Sequence, residues 1–470
     1  MKHFLSSIFL LGLFLGTQAQ NDALIFANAR IIDVEKARVS APVFIQIKRG
    51  RIERITRNRA MLAQGTARFI DLKGKYVMPG LWDMHTHTWD RWAFDLLLAN
   101  GVTGYRGMFE PMDSVRNWRK EAAHGKLLAP DMYVAGPIVD GAKPVWQGSV
   151  ALKDVFKVEH VVDSLIRLGV DFIKVYSLLS PEVYRKLAEV CRDRGIPFAG
   201  HVPTAIRLEE AIQLGQASSE HLYGALAASN SRADHFFAVM SGEVYDSTLT
   251  SYPKVRAFHL KYFDAQRARN VMGKLAQSQT WICPTLTVNR SISKLNEPQH
   301  LADSRLKYIP PVLRAQWHPR NDFRFQRADE DYFSREKTLF QIEQNLVGQM
   351  EKAGVKLLAG TDYPNPYVFP GFSLHDELEL MVAGGVSIPG ALRSATLNPA
   401  IFMQRVHELG TVSVGKFADL LILEANPLEA IQNTRSVAGV VLRGKWLDKK
   451  TLDRSLQQLE TRFRIPKGRN

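Results

Sequence analysis

Cysteine is nearly absent. The 470 residues contain two, Cys191 and Cys283, which excludes a disulfide framework and any cysteine-rich metal site. Cys283 falls in a strand-like run and Cys191 on an amphipathic helical stretch, so both read as buried free thiols. Long apolar runs are missing beyond the N-terminus, which excludes a transmembrane segment in the rest of the chain. Acidic residues are in deficit, 47 against 61 basic, for a formal charge of +14. The basic residues are spread along the chain, with one modest cluster between Arg443 and Arg469. No nucleic-acid motif accompanies them, so the reading is a scattered basic surface and no nucleic-acid partner. Repeats and low-complexity segments are also missing. A hydrophobic fraction of 46% with 23% charged residues is that of an ordinary globular chain, long enough for more than one domain.

The first residues stand apart. Lys2 and His3 lead into an apolar stretch from Phe4 to Gly16, and Thr17-Gln18-Ala19 gives a small-x-small exit. A basic start, a short apolar centre and a small-residue exit are the marks of a secretory signal, here residues 1–19. No cysteine follows for lipid attachment. The mature chain is expected to be soluble and exported, to the periplasm or the medium.

Short strands and turns fill residues 23–75: a strand pair from Ala23 to Asp33, the alternating Val43 to Ile47, and a turn at Lys48-Arg49-Gly50-Arg51 into Ile52 to Ile55. The same texture returns at Asp419 to Leu423 and Val437 to Lys445. Strands at both ends must bury their apolar faces, and one small β-sandwich built from 23–75 plus 405–450 does so. Between them, in 76–404, strand-like runs alternate with helices. Strands are expected near 81–87, 102–107, 131–137, 171–176, 197–201, 217–221, 280–285 and 356–362. A helix from Pro181 to Cys191 carries Ser180 as N-cap. Eight such units predict an α/β fold, a parallel (β/α)8 TIM barrel. Residues 286–350 are an insertion, a candidate lid or substrate wall or else a structural helical hairpin. The tail, 451–470, reads as a short polar helix from Leu452 to Phe463 with a frayed end.

In such a barrel the chemistry lies at the carboxyl ends of the strands. His85 and His87 close the first strand, and their i, i+2 spacing projects both imidazoles to one face. Lys174 lies in the fourth, His201 ends the fifth, His221 the sixth and Asp362 the eighth. Imidazole and carboxylate are ligands for zinc and similar divalent metals. Lys174 sits inside an apolar run, where desolvation penalises an ammonium. Either a carboxylate pairs with it, or its neutral amine is carboxylated by carbon dioxide. The resulting carbamate can bridge two metals about 3.5–4 Å apart.

These elements together resemble the amidohydrolase superfamily of metal-dependent hydrolases, close to its imidazolonepropionase-like branch that includes dipeptidases. The residues that carry the likeness are Pro79 to His87, Gly101-Val102-Thr103 with Arg106, Ile173-Lys174-Val175-Tyr176, Gly200-His201-Val202-Pro203, Ser218-Ser219-Glu220-His221, Gly360-Thr361-Asp362, Ala395 to Ala400, and Gly410-Thr411-Val412 with Gly415 to Leu420. One departure is Gly104-Tyr105-Arg106-Gly107-Met108, where many relatives carry Thr-Val-Arg-Asp-Met.

The resemblance implies two divalent ions, zinc first among them, with carbon dioxide consumed in forming the bridge. His85, His87 and Asp362 would bind the buried ion, His201 and His221 the exposed one, and carboxylated Lys174 would join them. A hydroxide activated by the metals would attack an amide or peptide-like C–N bond of a small substrate such as a dipeptide. Asp362 would serve as general base and then acid. Arg106, Tyr176 and Tyr223 are candidates for orienting a substrate carboxylate or the oxyanion, against the plainer reading of Arg106 paired with a barrel carboxylate and of the tyrosines as wall packing. His375 would support the site indirectly or cap a helix. The alternatives are a mononuclear imidazolonepropionase-like or deaminase-type centre, a lactone or ester hydrolase, and an inactive binding protein on the same scaffold. A homo-oligomer is compatible with all of these.

Overall fold

The computed structural model describes residues 23–62 and 67–464. The expected signal lies outside the described residues. The chain forms a mixed α/β fold. Strands from both ends join one nine-stranded sheet, in the order Lys445–Asp448, Val437–Leu442, Leu420–Leu423, Tyr76–Pro79, Leu24–Asp33, Val43–Lys48, Arg51–Thr56, with Arg38–Val39 and Arg68–Asp71 also on Leu24–Asp33. The sequence explains this. Val-Phe-Ile-Gln-Ile-Lys and Val-Ala-Gly-Val-Val-Leu are rich in β-branched residues, which suit a pleated surface. Their inward side chains, among them Phe26, Ile45, Ile47, Ile52, Leu420 and Val441, share one buried cluster.

The middle of the chain holds short parallel strands. Leu81–Thr86, Val102–Gly107 and Asp131–Val134 form one sheet. A second runs in the order Val150–Ala151, Val139–Asp140, Ile173–Val175, Phe198–Gly200, Ser218–Glu220, Trp281–Cys283. Of the expected strands, 102–107 has the expected bounds and six others are present but shorter, and the Val139–Asp140 and Val150–Ala151 strands were not foreseen. The expected strand at 356–362 is not a regular one. Its backbone makes single parallel bridges on either side, Leu357 with Ile282 and Tyr363 with Thr86. Met84 N donates to Ala359 O at 2.8 Å and Leu358 N to Ile282 O at 2.9 Å. The chain turns away at Asp362, whose φ of 62° is incompatible with a strand.

The expected helix extends over Pro181–Asp193, with Ser180 Oγ accepting from Val183 N, and it buries Val183, Tyr184, Leu187, Ala188, Val190 and Cys191. Cys191 and Cys283 are both free and buried, as expected. The tail helix spans Lys449–Arg462, capped by the Asp448 side chain. The 286–350 insertion contains the helices Leu286–Ser293, Pro298–Leu301 and Pro311–Trp317 and all but the last two residues of Glu330–Lys352. It has a core of its own, in which Ile309, Trp317, Phe325 and Phe333 pack against Tyr363, Phe369 and Phe463. Among the described residues no helix is long and apolar enough to cross a membrane.

Candidate active site

The six expected ligands converge. His85 is the penultimate residue of the buried Leu81–Thr86 strand and His87 lies one residue past it. Lys174 is central in Ile173–Val175, while His201 and His221 each follow directly on their strands. His85 Nε2 and His87 Nε2 lie 3.3 Å and 3.1 Å from Asp362 Oδ1, and His221 Nδ1 lies 3.9 Å from Oδ2. The His201 and His221 rings are 4.8 Å apart, and those of His85 and His221 4.6 Å. His221 and Asp362 both adopt left-handed backbone, φ 60° and 62°. Such strain costs about 1–3 kcal/mol at a non-glycine residue, and the surrounding packing has to hold it.

Three of the four rings are anchored on the far side. His85 Nδ1 meets Glu220 Oε2 at 2.8 Å, His201 Nδ1 meets Ser177 Oγ at 2.8 Å, and His221 Nδ1 meets Thr285 Oγ1 at 2.6 Å. With Nδ1 engaged, Nε2 is the nitrogen left free to ligate a cation, and in His85 it is the one that faces Asp362. Burial disfavours the charged form: it lowers His87 and His201, the latter well below the usual imidazole range, and takes His221 down to about 3. Neutral imidazole is the form that ligates. Asp362 is opposed by burial, yet His85 and His221 hold it well below the usual carboxylate range.

Lys174 is the anomaly. It is 1% exposed, and its Nζ has no hydrogen-bond partner. Burial lowers it to about 8, against the pull of Glu220 and Asp362. The adjacent strand can pass so close only because position 200 is glycine. A Cβ there would lie 2.2 Å from Val175 O and 2.9 Å from Lys174 Cδ. A buried amine and a buried His87 Nδ1, both without partners, beside neutral imidazoles and an ionised carboxylate, make a donor set that fits divalent metal ions. One close group is His85, His87 and Asp362, with donor atoms within 4.8 Å of one another. His85, Glu220 and Cys283 form a second close group. There burial pushes the thiol well above its ordinary value, and Glu220 is already committed to Arg106 and His85.

Arg106 is not available to substrate. It is fully buried; Nε donates to Met84 O, Nη1 to Ser218 Oγ and Nη2 to both oxygens of Glu220. The plainer expectation, a barrel carboxylate as partner, is the one found. Tyr176 and Tyr223 do flank the site. Tyr176 stacks on His201 at 3.9 Å, and the Tyr223 ring lies 5.4 Å from His201 and 5.2 Å from His221. His375 does not touch these residues; it bonds the carbonyl of Asn100, the C-cap residue of the Trp92–Ala99 helix, and Thr434 Oγ1, both at 3.0 Å.

Sequence reasoning did not single out Glu220, Glu110 or Arg324. Glu220 adjoins His221 in a quoted element, but nothing in the sequence showed that the buried Arg106 would need it. Glu110 explains the departure at position 107. A Cβ on Gly107 would fall 2.4 Å from Glu110 Cγ, and Glu110 Oε1 accepts from Thr88 N, next to His87, at 2.9 Å.

Comparison places this geometry. Residues 76–447 match the Amidohydrolase family. No curated protein matches in sequence. Among solved structures, a bottromycin amidohydrolase superposes with a TM-score of 0.72 at 23% identity, covering 93% of this chain and 90% of that one. A Xaa-Pro dipeptidase with bound methionine in its active site gives 0.64 at 18%, covering 91% and 100%. Molinate hydrolase gives 0.64 at 19%, covering 96% and 99%. At these identities the likeness is one of fold.

Proposed function

The chain belongs to the amidohydrolase family, and on that premise we propose that it hydrolyses an amide or peptide-like C–N bond of a small substrate at a two-metal centre bridged by carboxylated Lys174. One observation carries the reading: the Lys174 amine is buried, unpartnered and surrounded by ligand-type side chains. Lowered to about 8, it presents roughly one neutral amine in ten at pH 7. That lone pair forms the N–C bond with carbon dioxide, the amine proton leaves to water, and the carbamate keeps the negative charge. His85, His87 and Asp362 would hold one ion, His201 and His221 the other, and the carbamate would lie between them. Imidazole and carboxylate suit zinc.

When bound, the ions would lower the pKa of water toward neutrality and polarise the scissile carbonyl. The protein's own groups do the rest. Asp362, held ionised by its histidines, takes the proton of the attacking water and returns it to the leaving amine. Tyr223, whose hydroxyl burial keeps protonated, donates toward the developing oxyanion. Tyr176 fixes the His201 ring by stacking. The bottromycin amidohydrolase and the Xaa-Pro dipeptidase share the fold, which supports an amide or dipeptide substrate over an ester.

In the same reading residues 1–19 export the protein to the periplasm or the medium, 76–404 form the (β/α)8 barrel, and 23–75 plus 405–450 form the β-sandwich. The compact His85, His87 and Asp362 group favours a second reading, a mononuclear centre. Metal analysis separates the two, at two equivalents or one. A hydrolysis screen over dipeptides and N-acyl amino acids tests the reaction. Rapid lactone turnover with every amide untouched overturns it.

A further inference from the structure

We propose that Arg324, presented beside the metal site by the 286–350 insertion, selects substrates carrying a carboxylate next to the scissile amide, with Trp146 and Phe323 receiving an apolar or aromatic side chain. The inference rests on the amide-hydrolase reading and names the substrate class for that site.

Arg324 is held from one side. Its Nε lies 3.0 Å and 3.2 Å from the two oxygens of Asp322, and Nη2 lies 2.7 Å from Oδ2. Nη1 donates to Asn365 Oδ1 at 2.8 Å. A guanidinium has five N–H groups. These contacts engage three and leave one on each terminal nitrogen, a pair that a carboxylate can take in a two-point contact. Asp322 fixes the plane in advance, so little side-chain freedom is lost on binding.

Two short chains of contact tie Arg324 to the site. Asn365, its partner, donates from Nδ2 to the Asp362 carbonyl at 2.8 Å. In the other chain the guanidinium lies 5.7 Å from the Trp146 ring, Trp146 Nε1 donates to the Tyr176 hydroxyl at 2.8 Å, and Tyr176 stacks on His201. The cation is therefore two contacts from a residue of the first ion and three from a residue of the second. Phe323, 70% exposed, meets Trp146 edge-on at 6.3 Å. An aromatic wall with a fixed cation beside it suits an amino acid whose side chain is apolar and whose carboxylate is free.

The test compares wild type, R324Q and R324K, metal-loaded, in calorimetric binding of N-acetylphenylalanine and of its carboxamide. Wild type should prefer the carboxylate by about tenfold to a hundredfold, the range of one charge-assisted contact. R324Q should bind the two ligands alike, and R324K, with charge but no fork, should fall between. An arginine that only fastens the insertion would weaken both ligands by one factor and leave the preference intact, which overturns the proposal. Absence of any preference in wild type overturns it as well. In kinetics on a dipeptide against its C-terminal amide, the R324Q effect should fall on KM rather than kcat. A persistent carboxylate preference with no amide turnover would sink the hydrolase reading and leave the role of Arg324 standing.

Discussion

Glu220 Oε2 lies 2.8 Å from Nδ1 of His85, and that contact decides which nitrogen of His85 faces Asp362. Arg106 in turn holds Glu220, with Nη2 at 2.9 Å from both oxygens. Burial alone would raise the carboxyl, but Arg106 and His85 keep it below its ordinary value. A buried arginine, a carboxylate and a ligand histidine thus form one line beneath the site.

E220Q breaks this line without changing its shape. Arg106 is left buried opposite a neutral amide, at a cost of about 3–5 kcal/mol. His85 loses the anion that orients its ring, which should weaken metal binding by about 10–100-fold. Denaturant unfolding and chelator competition measure the two effects. Wild-type metal affinity in E220Q would end the orienting role.

K174A removes the bridging group while leaving every histidine in place. We expect metal content to fall from two equivalents to about one, measured on purified protein. The lost amine contributes no hydrogen bond, so any loss of stability should come only from the cavity left by the buried stem, about 2–5 kcal/mol. Wild type loaded without bicarbonate should resemble K174A and recover when bicarbonate is added, whereas K174A should not respond. Two tightly held ions in K174A would sink the carbamate.

Much of this site was legible because ligand geometry is written in short range. His85 and His87 share a face by strand alternation, Lys174 lies within a short strand, and His201 and His221 follow directly on theirs. Ser180 and Pro181 announced their helix for similarly local reasons. What failed was long range. For Arg106 the sequence left substrate and carboxylate readings both open, because its partner Glu220 lies more than a hundred residues away. Arg324 was invisible because its place depends on how the 286–350 insertion packs on the segment after Asp362. The eighth strand read as regular from its apolar run, yet single bridges and the left-handed Asp362 limit it.

Glu377 should give the fold a pH dependence separable from that of the metal site. It is buried, and it accepts from Leu286 N at 3.0 Å and from Thr287 N and Oγ1 at 2.7 Å. Burial pushes it up to about 7 from an ordinary 4.5. The folded state therefore binds this proton more tightly than the unfolded chain. Its contribution is complete below about pH 4.5 and is lost as pH rises through about 7. Wild type should lose stability relative to E377Q between pH 5 and pH 8, read as the difference in denaturation midpoints. Parallel midpoints across that range would refute the assignment.

Gly107 and Glu110 should be energetically coupled. A Cβ at position 107 would lie 2.4 Å from Glu110 Cγ and 2.5 Å from its Oε1, so G107D must displace a side chain that is itself buried. Overpacking of this kind costs about 1–3 kcal/mol. The new carboxylate would also adjoin one that burial already pushes well above its usual range. E110A alone removes the acceptor of Thr88 N, next to His87. In G107D/E110A the aspartate finds the vacated space, so the double variant should be more stable than the sum of the singles allows, with a coupling of about 0.5–3 kcal/mol. Denaturant unfolding of the four proteins measures it. Strict additivity would mean that the two positions do not share one carboxylate site, and the glycine would then need another cause.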